Sequence, residues 1–541
     1  VQALFEQAVG TESLDPSLAM YSNMADGPDP PPIGMAAELI SRQSRVILVV
    51  DNCPADLHQR LAEVCRQTNS TLSLLTVEYD IQDDTPEGTD VFKLEPSSAE
   101  LIEDLIRKRF TGFSDINVRS IAVFSGGNAR IAIALASTVG QNESVAGLTD
   151  ETLFRRLFRQ SQEHSEALYL DAQVCALLYS FDGEEMGTNG ELARLSTLIG
   201  RSPLELYQSV AELHRRDLVQ KRSRWRAVLP HAIANRLATA ALQNIPYQQI
   251  EQQLYADESS RMLRSFSRRL GYLHTSPEAQ LIVTKWLSEG GCLARIDELD
   301  ELGRAVLHNI APVAPEDTLA AFERVITGEN GATAIPECRE HANLLCTLAY
   351  DPALFARCIE LLVRLETAEP LDPKAPGIKL FASLFQVILS GTHASLEQRI
   401  ERVRALLTSD IEARRALGMI ALRAMLTTGN ITSTAAFDFG ARPRDVGYWP
   451  ATNDEVQHWF SVSLQTAEAA ANDPRTNTAV RNALADKFDG LWFGSNQSEL
   501  ARIARSLNSV EPWPEGWLTI RDMLDLHGSN MPVESHTALV A

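Results

Sequence analysis

Five β-favouring apolar residues that stop at an acid, Val46-Ile47-Leu48-Val49-Val50-Asp51-Asn52, constrain this chain more than any other stretch. An unbroken Val/Ile/Leu run is the signature of a strand buried on both faces, as in a parallel sheet covered by helices. The carboxyl end of such a strand opens onto the crevice where α/β sheets bind ligands, and Asp51 stands there.

The surrounding pattern supports a helix-covered sheet. Short helical patterns flank a Pro-rich loop at residues 27–32, and a helix is predicted over 35–42 ahead of the Asp51 strand. A helix over 56–66 follows, with Leu57, Leu61 and Val64 on one face. A second apolar strand is predicted over 72–77 and a third, short one over 91–94. Ser97 and Glu100 have the spacing of a capping box opening the next helix. Strand–helix alternation with buried strands argues a parallel sheet. After Gly126-Gly127 the pattern turns helical: residues 131–139 form one helix, and Thr149-Asp150 caps another. From about residue 244 onward only helical periodicity remains, as in 395–407, where Ser395 and Gln398 form a capping box and Leu396, Ile400, Val403 and Leu407 a stripe. This reads as an α-solenoid or irregular helical array without a clean repeat period. The fold class expected is therefore a partial α/β sheet followed by helices, mainly α overall.

Composition narrows the function classes. With 49 Lys+Arg against 71 Asp+Glu the net charge is −22, so the surface as a whole repels polyphosphate backbones. Seven cysteines without a C-x-x-C spacing suit reduced, buried thiols and a cytoplasmic setting. The apolar runs are shorter than the roughly 20 residues of a membrane span. The His residues form no H-x-x-x-H pair, and neither a G-x-S-x-G elbow nor a dinucleotide fingerprint occurs.

Three pieces carry chemistry. Asp51 is suited to holding Mg²⁺, which takes one or two carboxylates and keeps its waters. Asn52, the next residue, is an amide where a second acid would activate water. On the next predicted strand, Thr76 and Glu78 stand at the carboxyl end, where they either take part in a site with Asp51, Glu78 supplying the acid missing at Asn52, or simply mark a strand end meeting solvent. In Ser125-Gly126-Gly127-Asn128-Ala129-Arg130, two glycines allow a tight turn and Arg130 presents a fixed cation at a helix start.

Residues 191–229 read as helix, turn, helix and a two-stranded wing, a winged helix-turn-helix, leading into Pro230-His231. His214, Arg215, Arg216, Lys221, Arg222, Arg224 and Arg226 make it locally basic. A DNA reader would use such residues on phosphates, whereas in an acidic chain they also suit a face paired with acidic neighbours; the net charge favours the internal role. Five of seven tryptophans, Trp449, Trp459, Trp492, Trp513 and Trp517, lie in the helical region, where they are either core or partner anchors. Trp459-Phe460 and Trp492-Phe493 read as helix-packing pairs.

The order and spacing of these pieces resemble the AAA+-like P-loop core of signal-transducing ATPases with numerous domains, the STAND class. Residues 46–52 match its Walker B strand, 72–78 its sensor strand and 126–130 the segment before its lid. Two departures stand out. Ala129 occupies the position of the usual lid proline, and no Gly-Lys pair of a phosphate loop occurs anywhere. The chain starts at Val1, which leads to the expectation of a piece beginning downstream of that loop.

The resemblance implies an ATPase core over 1–140, a lid over 141–165, a winged helix over 166–243 and a helical sensor over 244–541. It implies ATP/ADP and Mg²⁺ as cofactors, with Asp51 as metal ligand and Asn52, Thr76 and Glu78 around the hydrolytic water. Arg130, Asn128 and His231 would contact the nucleotide, His231 at the β-phosphate of a resting ADP state. ATP would drive an active homo-oligomer with slow hydrolysis, a protein trigger would bind the helical region, and phage defence is one setting for such a switch. The alternatives are a non-enzymatic helical scaffold and a DNA-binding regulator using the winged helix.

Overall fold

The computed structural model describes residues 14–24, 28–51, 53, 55–67, 70–77, 89–90, 97–110, 112–137, 139, 152, 165–216, 218–229, 231–255, 261–329, 331–429, 431, 439–495, 497–528 and 531–540. They fall into two compact units, Val1–Arg269 and Leu270–Ala541. The chain is mainly helical, with a small parallel sheet first and a helical array later.

The first unit opens on a parallel sheet of three strands, β1 (Ala19–Asn23), β2 (Val46–Asp51) and β3 (Leu72–Val77), in the order β1-β2-β3. Helix α1 (Pro32–Ser41) connects β1 to β2, and α2 (Ala55–Cys65) connects β2 to β3. Both helices cover one face: Ala36 and Ile40 of α1 and Leu57 and Leu61 of α2 join Leu48, Val50 and Leu72 in one buried cluster. Two crossovers on the same side of consecutive parallel strands are what right-handed βαβ connections produce.

Several local expectations shift. β1 lies where only helical patterns and a loop were expected; it is an edge strand, paired on one side through Ala19↔Ile47 to Asn23↔Asp51. α1 starts at Pro32 rather than residue 35, because proline at the first helical position costs no hydrogen bond. The cap of α3 (Ala99–Arg109) is Ser98, whose side chain accepts from Leu101 N, and not Ser97. The strand expected over 91–94 and the Thr149-Asp150 cap lie outside the described residues, as does nearly all of 141–165.

α4 (Asp115–Ser125) and α5 (Ala129–Ser137) pack with α3. Next comes α6 (Ser165–Ala176), a two-residue strand β4 (Phe181–Asp182), α7 (Glu191–Leu198) and α8 (Pro203–Arg215). A hairpin of β5 (Val219–Arg222) and β6 (Trp225–Val228) follows, and β6 also pairs with β4, giving an antiparallel sheet in the order β4-β6-β5. α9 (His231–Asn244), α10 (Tyr247–Tyr255) and α11 (Arg261–Gly271) complete this part. Ser202 and Glu205 close a capping box on α8.

Among its described residues the second unit contains helices and no strand longer than an isolated bridge. The capping box of Ser395 and Gln398 forms on the helix Leu396–Leu407, whose Leu396, Ile400, Val403 and Leu407 are buried as the periodicity predicts. Trp459 and Trp492 are core residues; Trp459 Nε1 donates to the Met425 carbonyl at 3.0 Å. Trp492 stacks on Phe488, while Phe493, read as its packing partner, is exposed. Trp513 is buried, and Trp449 and Trp517 face solvent. Among the described residues no helix is long and apolar enough to cross a membrane.

Candidate functional site

Asp51 ends β2, which has a strand hydrogen-bonded on each side. The Tyr21 hydroxyl donates to Asp51 Oδ2 at 2.8 Å, an edge-strand residue orienting the carboxylate of the strand beside it. Register sets the rest. Val50 pairs with Thr76 and Asp51 with Val77, so with a side-chain period of two, Thr76 shares the helix-covered face with Val50 while Asp51 projects from the other. Thr76 Oγ1 contacts His58 Nδ1 of α2 at 2.9 Å, and His58 Nε2 contacts Thr89 Oγ1 at 3.0 Å. The two strand-end residues, expected around one site, thus stand on opposite sides of the sheet. Asn52 and Glu78 lie outside the described residues.

The second element is the turn between α4 and α5. Gly126 has φ 55° and ψ 38°, the left-handed conformation that terminates α4, and Gly127 follows at φ 82°. Asn128 Oδ1 accepts from Ile131 N at 3.1 Å, so Asn128, expected on a ligand, caps its own helix. Arg130 is the second residue of α5. Ser97 N donates to the Gly127 carbonyl at 3.1 Å, bringing the start of α3 to the same place.

This turn packs directly on the start of α9. A Cβ placed on Gly126 would lie 2.1 Å from Ala232 Cβ, so only glycine admits the approach. One turn further along α9, Arg236 Nη2 donates to the Val123 carbonyl at 2.8 Å, and its guanidinium lies 5.0 Å from the Phe124 ring centroid. His231, the first residue of α9 and neighbour of Ala232, is therefore brought beside the glycine turn from more than a hundred residues away. These two of the three sequence motifs meet.

His231 Nε2 is 3.1 Å from the Tyr179 hydroxyl, and the rings stack with centroids 4.8 Å apart. The Arg268 guanidinium sits 3.7 Å from the Tyr179 centroid, and Arg269, fully buried, donates to Asn235 Oδ1 at 2.6 Å. Burial, then the Arg269 and Arg268 charges, push the His231 imidazole down to about 3, so the ring is neutral at physiological pH. A neutral imidazole near two cations at the first turn of a helix has surroundings that favour an anion: the guanidiniums and the helix dipole attract it, and its arrival would make the ring more basic. Tyr179, Arg268 and Arg269 were not foreseen from the sequence. The available signal was the concentration of arginine along α11, Arg261, Arg264, Arg268 and Arg269, in an acidic chain.

The basic residues of the hairpin region are paired at home. Arg224 bonds Asp182 and approaches Glu185, Arg226 bonds Glu184 at 3.3 Å, and Arg215 and Arg216 share Glu212. Arg261 meets Glu191 at 2.7 Å and covers the Trp225 ring. Among the described residues no group of three His, Cys, Asp or Glu side chains is placed to hold a metal; a single strand-end carboxylate such as Asp51 still fits Mg²⁺, which retains most of its water shell.

No protein-family model matches the chain, and no curated protein matches it. A search of solved structures finds similarity to a signal transduction ATPase with numerous domains (STAND) protein with a tetratricopeptide repeat sensor from Pyrococcus horikoshii. The identity is 10%, covering 94% of this chain and 81% of that chain, with a TM-score of 0.19. A likeness that distant carries no argument about this chain, whose reading rests on its own residues.

Proposed function

We propose that the first unit is the switch of a nucleotide-gated, signal-transducing ATPase of STAND type. One observation carries the reading: the Gly126 turn is locked against Ala232, so that a glycine-rich helix start and His231 share one place. In this reading residues 166–243 are a winged helix whose sheet is β4-β6-β5. His231 would hold the β-phosphate of ADP, Arg130 would meet the terminal phosphate of ATP, and Asp51 would hold Mg²⁺. With an amide at position 52, hydrolysis is slow and serves to reset the switch.

The bistable element is the contact between the α4–α5 turn and α9. ADP stabilises it closed; ATP favours a released state that assembles into a homo-oligomer, and a protein trigger at the helical region biases the choice. The home pairing of the basic residues with Asp182, Glu184, Glu185 and Glu212 supports an internal role for the winged helix over DNA reading.

The test is a titration of fluorescent ADP and ATP into the full-length gene product with and without Mg²⁺. Saturable binding, weakened in His231→Ala, is expected. No affinity for either nucleotide removes the switch and leaves a helical scaffold.

A further inference from the structure

The helical unit contains a polar cleft that the nucleotide switch does not use. It is a small recess, open to solvent, between the helices Ala342–Leu348 and Pro376–Ser383 and the segment at Arg444 and Asp445. Arg444 is its notable feature. Its guanidinium sits 3.9 Å from the Phe439 ring centroid and 4.5 Å from that of Tyr350, which fixes its position. Of its five N–H groups, one is bound among the described residues, from Nη1 to the Thr347 carbonyl at 2.7 Å.

Among the described residues no carboxylate lies within ion-pair distance of Arg444. The adjacent Asp445 is committed elsewhere: its Oδ1 accepts from Gly447 N at 2.8 Å and the Tyr350 hydroxyl at 3.2 Å, and meets His393 Nε2 at 2.8 Å. Two other arginines of this unit differ. Arg357 and Arg414 each grip both oxygens of a glutamate, Glu323 and Glu360. Burial, with the nearby Arg442 charge, pulls the Arg444 guanidinium down to about 10 against the opposing influence of Tyr350 and Asp351. The rest of the lining is neutral and hydrogen-bonding, with Asn343, Thr347, Ser383 and Ser390.

We propose that this cleft binds a carboxylate group, with Arg444 as the fork that receives it and the surrounding hydroxyl and amide groups completing its hydrogen bonds. A planar carboxylate matches the guanidinium fork. A phosphate dianion matches the cleft less well, because the Asp445 carboxylate lines the same space and repels the second charge. The group comes either from a free small acid or from a glutamate or aspartate of a docking protein. This inference does not depend on the nucleotide reading.

The test uses the whole 541-residue chain and ligand-observed NMR with three probes at constant ionic strength: acetate, an acetylated Gly-Glu-Gly peptide amide, and inorganic phosphate. Acetate is expected to saturate and phosphate to bind more weakly. Asn343 is exposed, so Asn343→Asp leaves the fold intact while adding a negative charge at the rim; it should weaken acetate about tenfold. Arg444→Gln should abolish binding. A peptide that binds more than tenfold tighter than acetate supports the site and assigns the carboxylate to a protein partner; equal binding supports it and assigns a free acid. Absence of saturation, phosphate binding at or above acetate, or an Asn343→Asp variant that binds acetate like the parent each overturns the proposal.

Discussion

The Tyr179 hydroxyl stands 3.1 Å from His231 Nε2, and the two rings stack at 4.8 Å. The tyrosine comes from the end of the α6 region and the histidine opens α9, so the contact spans 52 residues. It orients an imidazole that burial, helped by the neighbouring arginines, keeps neutral.

That neutrality has a pH signature. The imidazole titrates near 6.5 in an unfolded chain and at about 3 in the fold, so between these values the unfolded chain binds the extra proton. The contribution of His231 to stability is complete above pH 6.5 and declines as pH falls toward 3. Urea midpoints measured from pH 7 to pH 4 should drop less steeply in His231→Gln than in the parent. The His231 Cε1–H resonance should not titrate between pH 5 and 8. For nucleotide, His231→Ala should loosen ADP by about tenfold, the value of one charge-assisted hydrogen bond, with Tyr179→Phe giving a smaller loss by freeing the ring. Trigger-independent signalling by His231→Ala is expected; a variant as quiet as the parent contradicts the assignment.

The Gly126 turn offers a structural test with two separable parts. Gly126→Ala places a side chain at φ 55°, which costs about 1 kcal/mol, and drives its Cβ to 2.1 Å from that of Ala232, so α9 must shift. The total expected destabilisation is about 2–4 kcal/mol by urea unfolding. Ala232→Gly in the same chain removes the collision and leaves the backbone cost, so the double variant should recover part of the loss. Equal stability of Gly126→Ala and Gly126→Ala/Ala232→Gly would show that the close approach does not constrain α9.

How much of this was legible in the sequence follows from range of contact. β2 and β3 announce themselves through their apolar residues, which supply Leu48, Val49, Val50 and Leu72 to the buried core. The capping box at Ser395 and Gln398 is legible because it closes within four residues. β1 is not: Ala19, Met20, Tyr21, Ser22 and Asn23 form an edge strand with one well-buried residue, Ser22, so neither an apolar run nor clear alternation marks it. The orienting of Asp51 by Tyr21 was hidden for that reason. Position pointed to His231, yet its partners Tyr179, Arg268 and Arg269 come together only through tertiary packing, which leaves no spacing in the chain. Asn128 has a local use that its position already allowed, since a polar residue at a helix start most simply caps that helix.

Asp51 gives a prediction about metal. Tyr21 donates to Oδ2 and so orients, from the edge strand, the carboxylate that would hold Mg²⁺ in the proposed reading. Asp51→Asn removes the charge and keeps the shape, so nucleotide affinity should lose its Mg²⁺ dependence while the sheet stays intact by circular dichroism. Tyr21→Phe should produce a weaker version of the same change. Thr76→Val, on the opposite face of the sheet, should alter stability through the lost His58 contact and leave Mg²⁺ dependence as it was. Loss of Mg²⁺ dependence in Thr76→Val equal to that in Asp51→Asn would contradict the placement by register.

The helical unit makes its strongest stability prediction at Arg399, fully buried on the helix Leu396–Leu407. Its guanidinium is held by neutral acceptors: the carbonyls of Ala394 at 3.0 Å, Gln386 at 2.6 Å and Thr392 at 3.2 Å, and Ser390 Oγ at 3.1 Å. These acceptors belong to the segment just before the helix, where Leu389 at φ 56° and Gly391 at φ 68° turn the backbone sharply. One cation therefore folds an irregular loop around itself, and an apolar substitute would leave several buried acceptors dry. Arg399→Met should cost about 3–5 kcal/mol, measured as a lowered urea midpoint with little change in slope. Arg399→Lys keeps a charge but cannot reach acceptors on so many sides at once, and should fall between the two. Because Ser390 and Gly391 also line the Arg444 cleft, acetate binding should weaken in both variants in the same order as stability. Binding that persists unchanged in a destabilised Arg399→Met chain would show that the loop is not what shapes the cleft.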